Sequence, residues 1–318
     1  MPGCFVDHFV HVLGEQKLHV DESATAGRLL SGADDLAYAG FRFHHVCGPD
    51  TSAYDLARDA VAKLADEGVL APVDAIVYAT SLPLNANVGD EAEWRRTRDV
   101  KFLMDFPASR LQTEFGLDDA VVFGLDQQAC TGMLGSVRLA AALLLAEPPW
   151  RRVLCVSADR FPDGALYEQA YNLVSDGAAA CVVDRHEGRF RYVAGHQLTN
   201  GALSVASDDE TVGMYFGYVH RLVTEGLAKA GLTAADVDWV VPQNTNDKAW
   251  RVLARLLGVD IEQVWFPSMP DAGHVISADA AINLEQLAAS GRVESGDHVL
   301  LVMAGYGLNW QCTVLEAR

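Results

Sequence analysis

The sequence predicts an α/β fold of two similar halves, each a sheet buried beneath helices on both faces. Apolar runs without alternation, such as Val153-Leu154-Cys155-Val156, suit strands covered on both sides. Amphipathic helical patterns alternate with these runs. The order of elements then repeats with a shift of 146 residues, which pairs that run with Val299-Leu300-Leu301-Val302.

In chain order, the helical period predicts a helix over 54–67, followed by a strand at 75–80. A strand at 121–126 runs into Gln127-Gln128-Ala129-Cys130, and an apolar helix over 132–146 leads to the strand at 153–158. The second half follows the same plan, with a helix over 218–230, a strand at 237–241, a helix over 280–289 and a strand at 299–302. The expected halves are residues 1–186, which hold Cys130, and 187–318, which hold His274 and a glycine-rich segment. Halves of this size bury a core of their own.

Composition removes several classes of function. A net charge of −19 argues against nucleic acid, whose phosphates need clustered Lys and Arg. The six cysteines form no CxxC pair and no Cys/His zinc spacing, so no metal site is expected. Cys155 and Cys181 lie in apolar runs and read as core residues. No stretch reads as a membrane span, and residues 1–30 lack the basic, apolar and cleavage segments of a secretory signal. The expected location is the cytoplasm, with no membrane partner.

Cys130 stands apart from the other cysteines. It sits where a strand ends and a helix begins, where orphan N–H groups and the helix dipole favour thiolate. Ala129, Thr131 and Gly132 are small and leave room for a substrate. On this local context alone, a cysteine buried at a helix start reads equally well. His274 lies just ahead of the corresponding helix of the second half, so both residues should face the cleft between the halves.

The strand–Cys130–Gly132–helix unit, Pro242-Gln243-Asn244-Thr245-Asn246, the segment from Gly273-His274 to Asp279, and the terminal Gly305-Tyr306-Gly307-Leu308-Asn309-Trp310 occur in this order. Together they resemble the β-ketoacyl-acyl-carrier-protein synthase III family. The resemblance implies a thiolase fold of five layers, αβαβα, with a mixed sheet in each half, and a homodimer. It implies Cys130 as acylated nucleophile, with the Cys130 and Gly307 N–H groups forming an oxyanion hole. The donor would be an acyl-CoA or acyl carrier protein, with CoA or phosphopantetheine as substrate and no permanently bound cofactor.

Two departures from the family bear on the chemistry. Gln243 stands where the family has His, and His274 stands where it has Asn. The family pair holds a malonyl thioester oxygen as carbon dioxide leaves, and an amide cannot take up a proton. The altered pair resembles the Cys-His-Asp acyltransferase offshoot of natural-product pathways. Asp279, five residues after His274, fits the third place, with Asp271 as competitor. The expected activity is acyl transfer to a small hydroxyl or amine acceptor, with Gln243 and Asn246 as candidate pocket residues. The alternatives are a starter-unit-selecting ketoacyl synthase and a non-catalytic subunit of a heterodimeric synthase. His196 reads as a surface strand residue, and Arg95, Arg96 and Arg98 as a solvated helix face paired with Glu91 and Glu93. The charged stretch 82–107 is expected to shape the pocket.

Overall fold

A computed structural model describes residues 3–70, 72–306 and 308–318. The main sheet has nine strands: β1 (Phe5–Leu13), β2 (Ala75–Ala79), β3 (Val121–Leu125), β4 (Arg152–Asp159), β5 (Gly177–Asp184), β6 (Phe190–Thr199), β7 (Trp239–Pro242), β8 (His298–Gly305) and β9 (Asn309–Ala317). Their spatial order is β7-β8-β9-β6-β1-β5-β4-β2-β3. The pairs β2–β3, β2–β4 and β7–β8 are parallel and the others antiparallel, which makes the sheet mixed.

The two halves of this order match. β1-β5-β4-β2-β3 in the first corresponds to β6-β9-β8-β7 in the second, and β4 and β8 lie 146 residues apart at both ends. The counterpart of edge strand β3 is reduced to a single parallel bridge between Val240 and Val264. The halves meet where β1 pairs with β6 at only two positions, Phe5 with Arg191 and Val6 with Phe190. A bulge between Asp7 and Val10 bends β1 away beyond that point.

Five helices of eleven or more residues build most of the remaining layers: α1 (Ala53–Asp66), α2 (Gly132–Ala146), α3 (Asp208–Ala230), α4 (Asp247–Leu257) and α5 (Asp279–Ala289). α2 and α5 lie between the two half-sheets, where Met133, Leu134, Val137, Ile282 and Leu284 form one core with both. α1 covers the outer face of the first half through Leu56, Val61 and Leu64. α3 and α4 cover the second through Leu222, Val223, Trp250 and Leu253. The result is a five-layered thiolase fold, and the unalternating strand sequences follow from it: β4 and β5 are covered on both faces along nearly their whole length.

Ala129–Ala146 departs from the expectation that no stretch could span a membrane. It is long and apolar enough by length and composition, and most of it is buried as the central helix between the half-sheets. Cys155 and Cys181 are both fully buried and sit opposite one another on β4 and β5.

Candidate active site

Both reactive side chains sit at matched places, at the N-terminal ends of the two central helices. Cys130 lies in the short turn Ala129–Thr131 that enters α2, and His274 precedes the turn Ile276–Ala278 that enters α5. Each turn contains a non-glycine residue at positive φ, Ala129 at 44° and Ile276 at 49°. For a β-branched residue such as Ile276 that conformation is strained, and it persists because the surrounding packing dictates it.

His274 is fixed at its main chain first. Its N–H donates to the Leu173 carbonyl at 2.8 Å, and its carbonyl accepts the Ser175 N–H at 2.9 Å. Gly273 makes the approach: at φ 64°, a Cβ there would stand 2.8 Å from the Leu173 oxygen. The imidazole then reaches both ways. Nδ1 lies 2.5 Å from Asp279 Oδ2, and Nε2 lies 3.3 Å from Cys130 Sγ.

Asp279 is wholly buried and fully engaged. Its Oδ1 accepts the Val275 N–H at 2.6 Å, and its Oδ2 also accepts the Asn244 N–H at 2.7 Å. Asn244 is held in turn by Ser268, Asn283 and the Gly273 carbonyl, so a closed polar network sets the carboxylate. Asp271 takes no part; it pairs with Lys17 and Arg42 at the surface.

Burial alone would push the His274 imidazole down. The Asp279 carboxylate on one side and the Cys130 sulfur on the other outweigh it and hold its pKa well above the ordinary histidine value. Protonated, the ring donates at both nitrogens, to carboxylate and to sulfur. Cys130, His274 and Asp279 thus form a buried line of three groups within reach of one another.

The Cys130 N–H is approached by Gly305, where a Cβ would stand 2.7 Å from that nitrogen. Gly307, the other expected oxyanion donor, lies outside the described residues. Gln243 Oε1 accepts the Ala304 N–H at 2.5 Å, so its amide N–H donors are the part left for the cavity it lines. Asn246 lines the same cavity and caps α4 by accepting the Lys248 N–H.

That cavity, about 320 Å³, opens on Cys130 and His274. Its walls come from Gln169–Asn172, the start of α3 and the start of α4, and among the described residues none of 82–107 lines it. The expectation for that stretch is corrected: it folds on itself through the helix Glu91–Thr97 and two short turns. Arg95 and Arg96 pair with Glu91 and Glu93 on that exposed helix. His196 also differs from expectation, being buried with Nε2 on Glu225 and Nδ1 accepting from Lys229, both at 2.7 Å. Two features of the cavity wall had escaped the sequence reading. α3 starts ten residues earlier than its apolar period suggests, at a Ser207–Glu210 capping box legible in the sequence. The hairpin turn at Ala170-Tyr171 has neither glycine nor asparagine at its two central positions to announce it. Among the described residues no His, Cys, Asp and Glu are grouped to hold a metal ion.

Comparison with known proteins adds a second line of observation. Residues 126–201 match the family model of 3-oxoacyl-[acyl-carrier-protein] synthase III, and residues 227–317 match the model of its C-terminal part; together the spans take in more than half of the chain. A β-ketoacyl-[acyl-carrier-protein] synthase III of Ruegeria pomeroyi is 29% identical over 309 residues, covering 87% of this chain and 88% of that one. The crystal structure of 3-oxoacyl-(acyl carrier protein) synthase III from Pseudomonas aeruginosa superposes with a TM-score of 0.81 at 23% identity, over 99% of this chain and 98% of that one. The acyltransferase ChlB3 gives 0.82 at 20% identity, over 99% and 98% of the two chains. At such identities the structural likenesses speak to the fold.

Proposed function

The chain belongs to the 3-oxoacyl-[acyl-carrier-protein] synthase III family, and from that premise we propose an acyltransferase that loads Cys130 from a thioester and passes the acyl group to a hydroxyl or amine. The observation that carries the reading is the line Cys130–His274–Asp279, with 3.3 and 2.5 Å between successive groups.

In the first step the Cys130 thiolate attacks the thioester carbonyl carbon, and the bond to the donor sulfur breaks. His274 supplies the proton that turns the departing thiolate into a thiol. In the second step the acceptor attacks the acyl-cysteine, His274 takes its proton, and Cys130 leaves as thiolate. Asp279 orients the imidazole and stabilises its charged form throughout. The Cys130 N–H, joined by that of Gly307, is the proposed holder of the oxyanion, and one such donor is worth about 2.7–4 kcal/mol. The donor is an acyl-CoA or an acyl carrier protein, and the setting a secondary-metabolite pathway.

Gln243 supports transfer to a heteroatom over carbon–carbon bond formation, since a pinned amide offers no base where the family has a histidine. The second reading, a starter-selecting condensing synthase, is favoured by the family itself. Release of carbon dioxide from a malonyl thioester separates the two. Homodimer formation is supported by edge strand β3, which exposes Val121 and Val122; a monomer mass by light scattering would refute it. The central test is intact-mass spectrometry with a thioester panel. The parent gains the acyl mass and Cys130→Ala does not; loading of the variant at the parental rate removes Cys130 from the chemistry.

A further inference from the structure

The polar side chains behind Asp279 reach further than its carboxylate. Asn244 and Asn283 are wholly buried and Ser268 nearly so. Asn244 Nδ2 donates to Ser268 Oγ and to the Gly273 carbonyl, both at 2.8 Å. Ser268 Oγ donates to Asn283 Oδ1 at 2.6 Å, and Asn283 Nδ2 donates to Asn244 Oδ1 at 2.8 Å and to the Pro242 carbonyl at 3.2 Å. These five bonds use every hydrogen that the three side chains can donate. The ring therefore runs in one direction. Turning the Asn283 amide over would set its N–H groups against the Ser268 hydroxyl hydrogen, and its oxygen against those of Asn244 and Pro242.

The bonds that leave the ring fall on the site. The Gly273 carbonyl shares a peptide plane with the His274 N–H, which donates to the Leu173 carbonyl, so that plane is held at both ends. The Pro242 carbonyl shares its plane with the Gln243 N–H, which donates to the Val302 carbonyl at 3.0 Å. The main-chain N–H of Asn244 donates to Asp279 Oδ2. Asn283 follows Asp279 by one turn on the same face of α5. One ring thus fixes the segments that carry Gln243, His274 and Asp279, and none of its members is among the described residues lining the cavity. The titratable groups facing the imidazole are Asp279 from α5 and Cys130 from the turn into α2. His44, which packs against Gly273, is pushed down to about 4, and Asp159 reaches the turn into α5 only through Ser277 at 3.5 Å.

We propose that Ser268 and Asn283 are positioning residues of this active site: through Asn244 they hold Asp279 against His274, and His274 against Cys130. The inference rests on the acyl-transfer reading and adds residues that touch neither substrate nor reacting atoms. Without the Asn283 amide, Asn244 Oδ1 loses its donor and the Asn244 main chain is free to turn, taking its N–H off Asp279 Oδ2. Without the Ser268 hydroxyl, one Asn244 N–H and the Asn283 oxygen lose their partners together.

The test uses the whole protein with isotope-labelled histidine and follows the imidazole signals by NMR against pH, that of His274 being assigned by its absence in His274→Gln. Its titration midpoint should fall by about one pH unit in Ser268→Ala and in Asn283→Leu, because a carboxylate that swings away no longer supports the imidazolium. Ser268→Thr keeps the hydroxyl and should keep the parental midpoint. Acetyl, hexanoyl and benzoyl N-acetylcysteamine thioesters supply the kinetic arm, with Cys130 loading read by intact mass. The maximal loading rate should fall about ten- to hundredfold in the two broken-ring variants, with the half-saturating thioester concentration unchanged, since neither side chain lines the cavity. A ring that serves stability alone would lower the Tm and leave midpoint and loading rate where they were, and that result overturns the inference. Loss of the parental midpoint in Ser268→Thr overturns it as well. Should Asn283→Leu fail to fold, Ser268→Ala, which removes a single oxygen, decides the matter. A midpoint that shifts as expected in a protein that no thioester loads removes the acyl-transfer reading and leaves the positioning of His274 standing.

Discussion

Asp279→Asn is the sharpest perturbation available, because both carboxylate oxygens are already used. Oδ1 accepts one main-chain N–H, from Val275, while Oδ2 accepts the Asn244 N–H and faces His274 Nδ1. An amide has one oxygen. With its nitrogen in the Oδ1 place it confronts the Val275 N–H; with its nitrogen in the Oδ2 place it confronts the Asn244 N–H. Either way one buried donor is left bare, at a cost of about 1–3 kcal/mol and a fall of several degrees in Tm. The catalytic effect is larger. Without the carboxylate, burial dominates at His274 and its raised pKa collapses. In the second orientation the amide would also donate to Nδ1 and fix the tautomer that cannot take a proton at Nε2. The equivalent change in a Ser-His-Asp triad lowers kcat by about 10⁴, or about 5.5 kcal/mol of barrier. The assay measures thiol release from a loading thioester between pH 5 and 9, alongside a thermal melt. A rate within tenfold of the parent, with an unchanged Tm, would refute the reasoning.

Gly305→Ala should disturb the nucleophile without touching its side chain. The new Cβ would meet the Cys130 nitrogen at 2.7 Å and the Gln128 carbonyl at 3.0 Å, so we expect about 1–3 kcal/mol of destabilisation and a loss of loading greater than that of Gly201→Ala, an exposed control with open space around it and no positive φ. Equal loading by both variants would count against a built oxyanion site. His44 predicts an acid sensitivity. Burial, partly offset by its bond to the Val174 carbonyl, lowers its pKa from 6.5 to about 4. The unfolded chain therefore binds the proton first between those values, so stability rises with pH across that window and is lost on acidification. At 1.36 kcal/mol per unit the loss approaches about 3 kcal/mol near pH 4. His44→Gln should flatten denaturant-measured stability between pH 4.5 and 7, and an unaltered slope would show that other groups carry it.

Much of the fold could be read from the chain because its signals are local. The central helix Gly132–Ala146 falls where the apolar run places it, and the 146-residue shift recurs between β4 and β8. The start of helix α3 is legible too, in the Ser207–Glu210 capping box that precedes its apolar period. The Ala170-Tyr171 turn is not. Both residues hold positive φ, at 46° and 63°, a type I′ geometry that sequence normally announces with Asn-Gly. Here the Tyr171 hydroxyl reaches Asp209 Oδ1 at 2.8 Å, tying the hairpin to the start of α3.

By itself the sequence offered a cysteine and a histidine at matched turns into the two central helices, and a glutamine where the family it resembles has a histidine. Residue type and strand-to-helix order carry that information, and both are local. Only the tertiary structure decided between Asp271 and Asp279, because the first turns outward to Lys17 and Arg42 while the second begins a buried helix and faces His274. Only it decided that Gln169–Asn172, α3 and α4, rather than 82–107, wall the cavity. A cavity is the space left between segments far apart in the chain, and no periodicity within one segment records where another will pack.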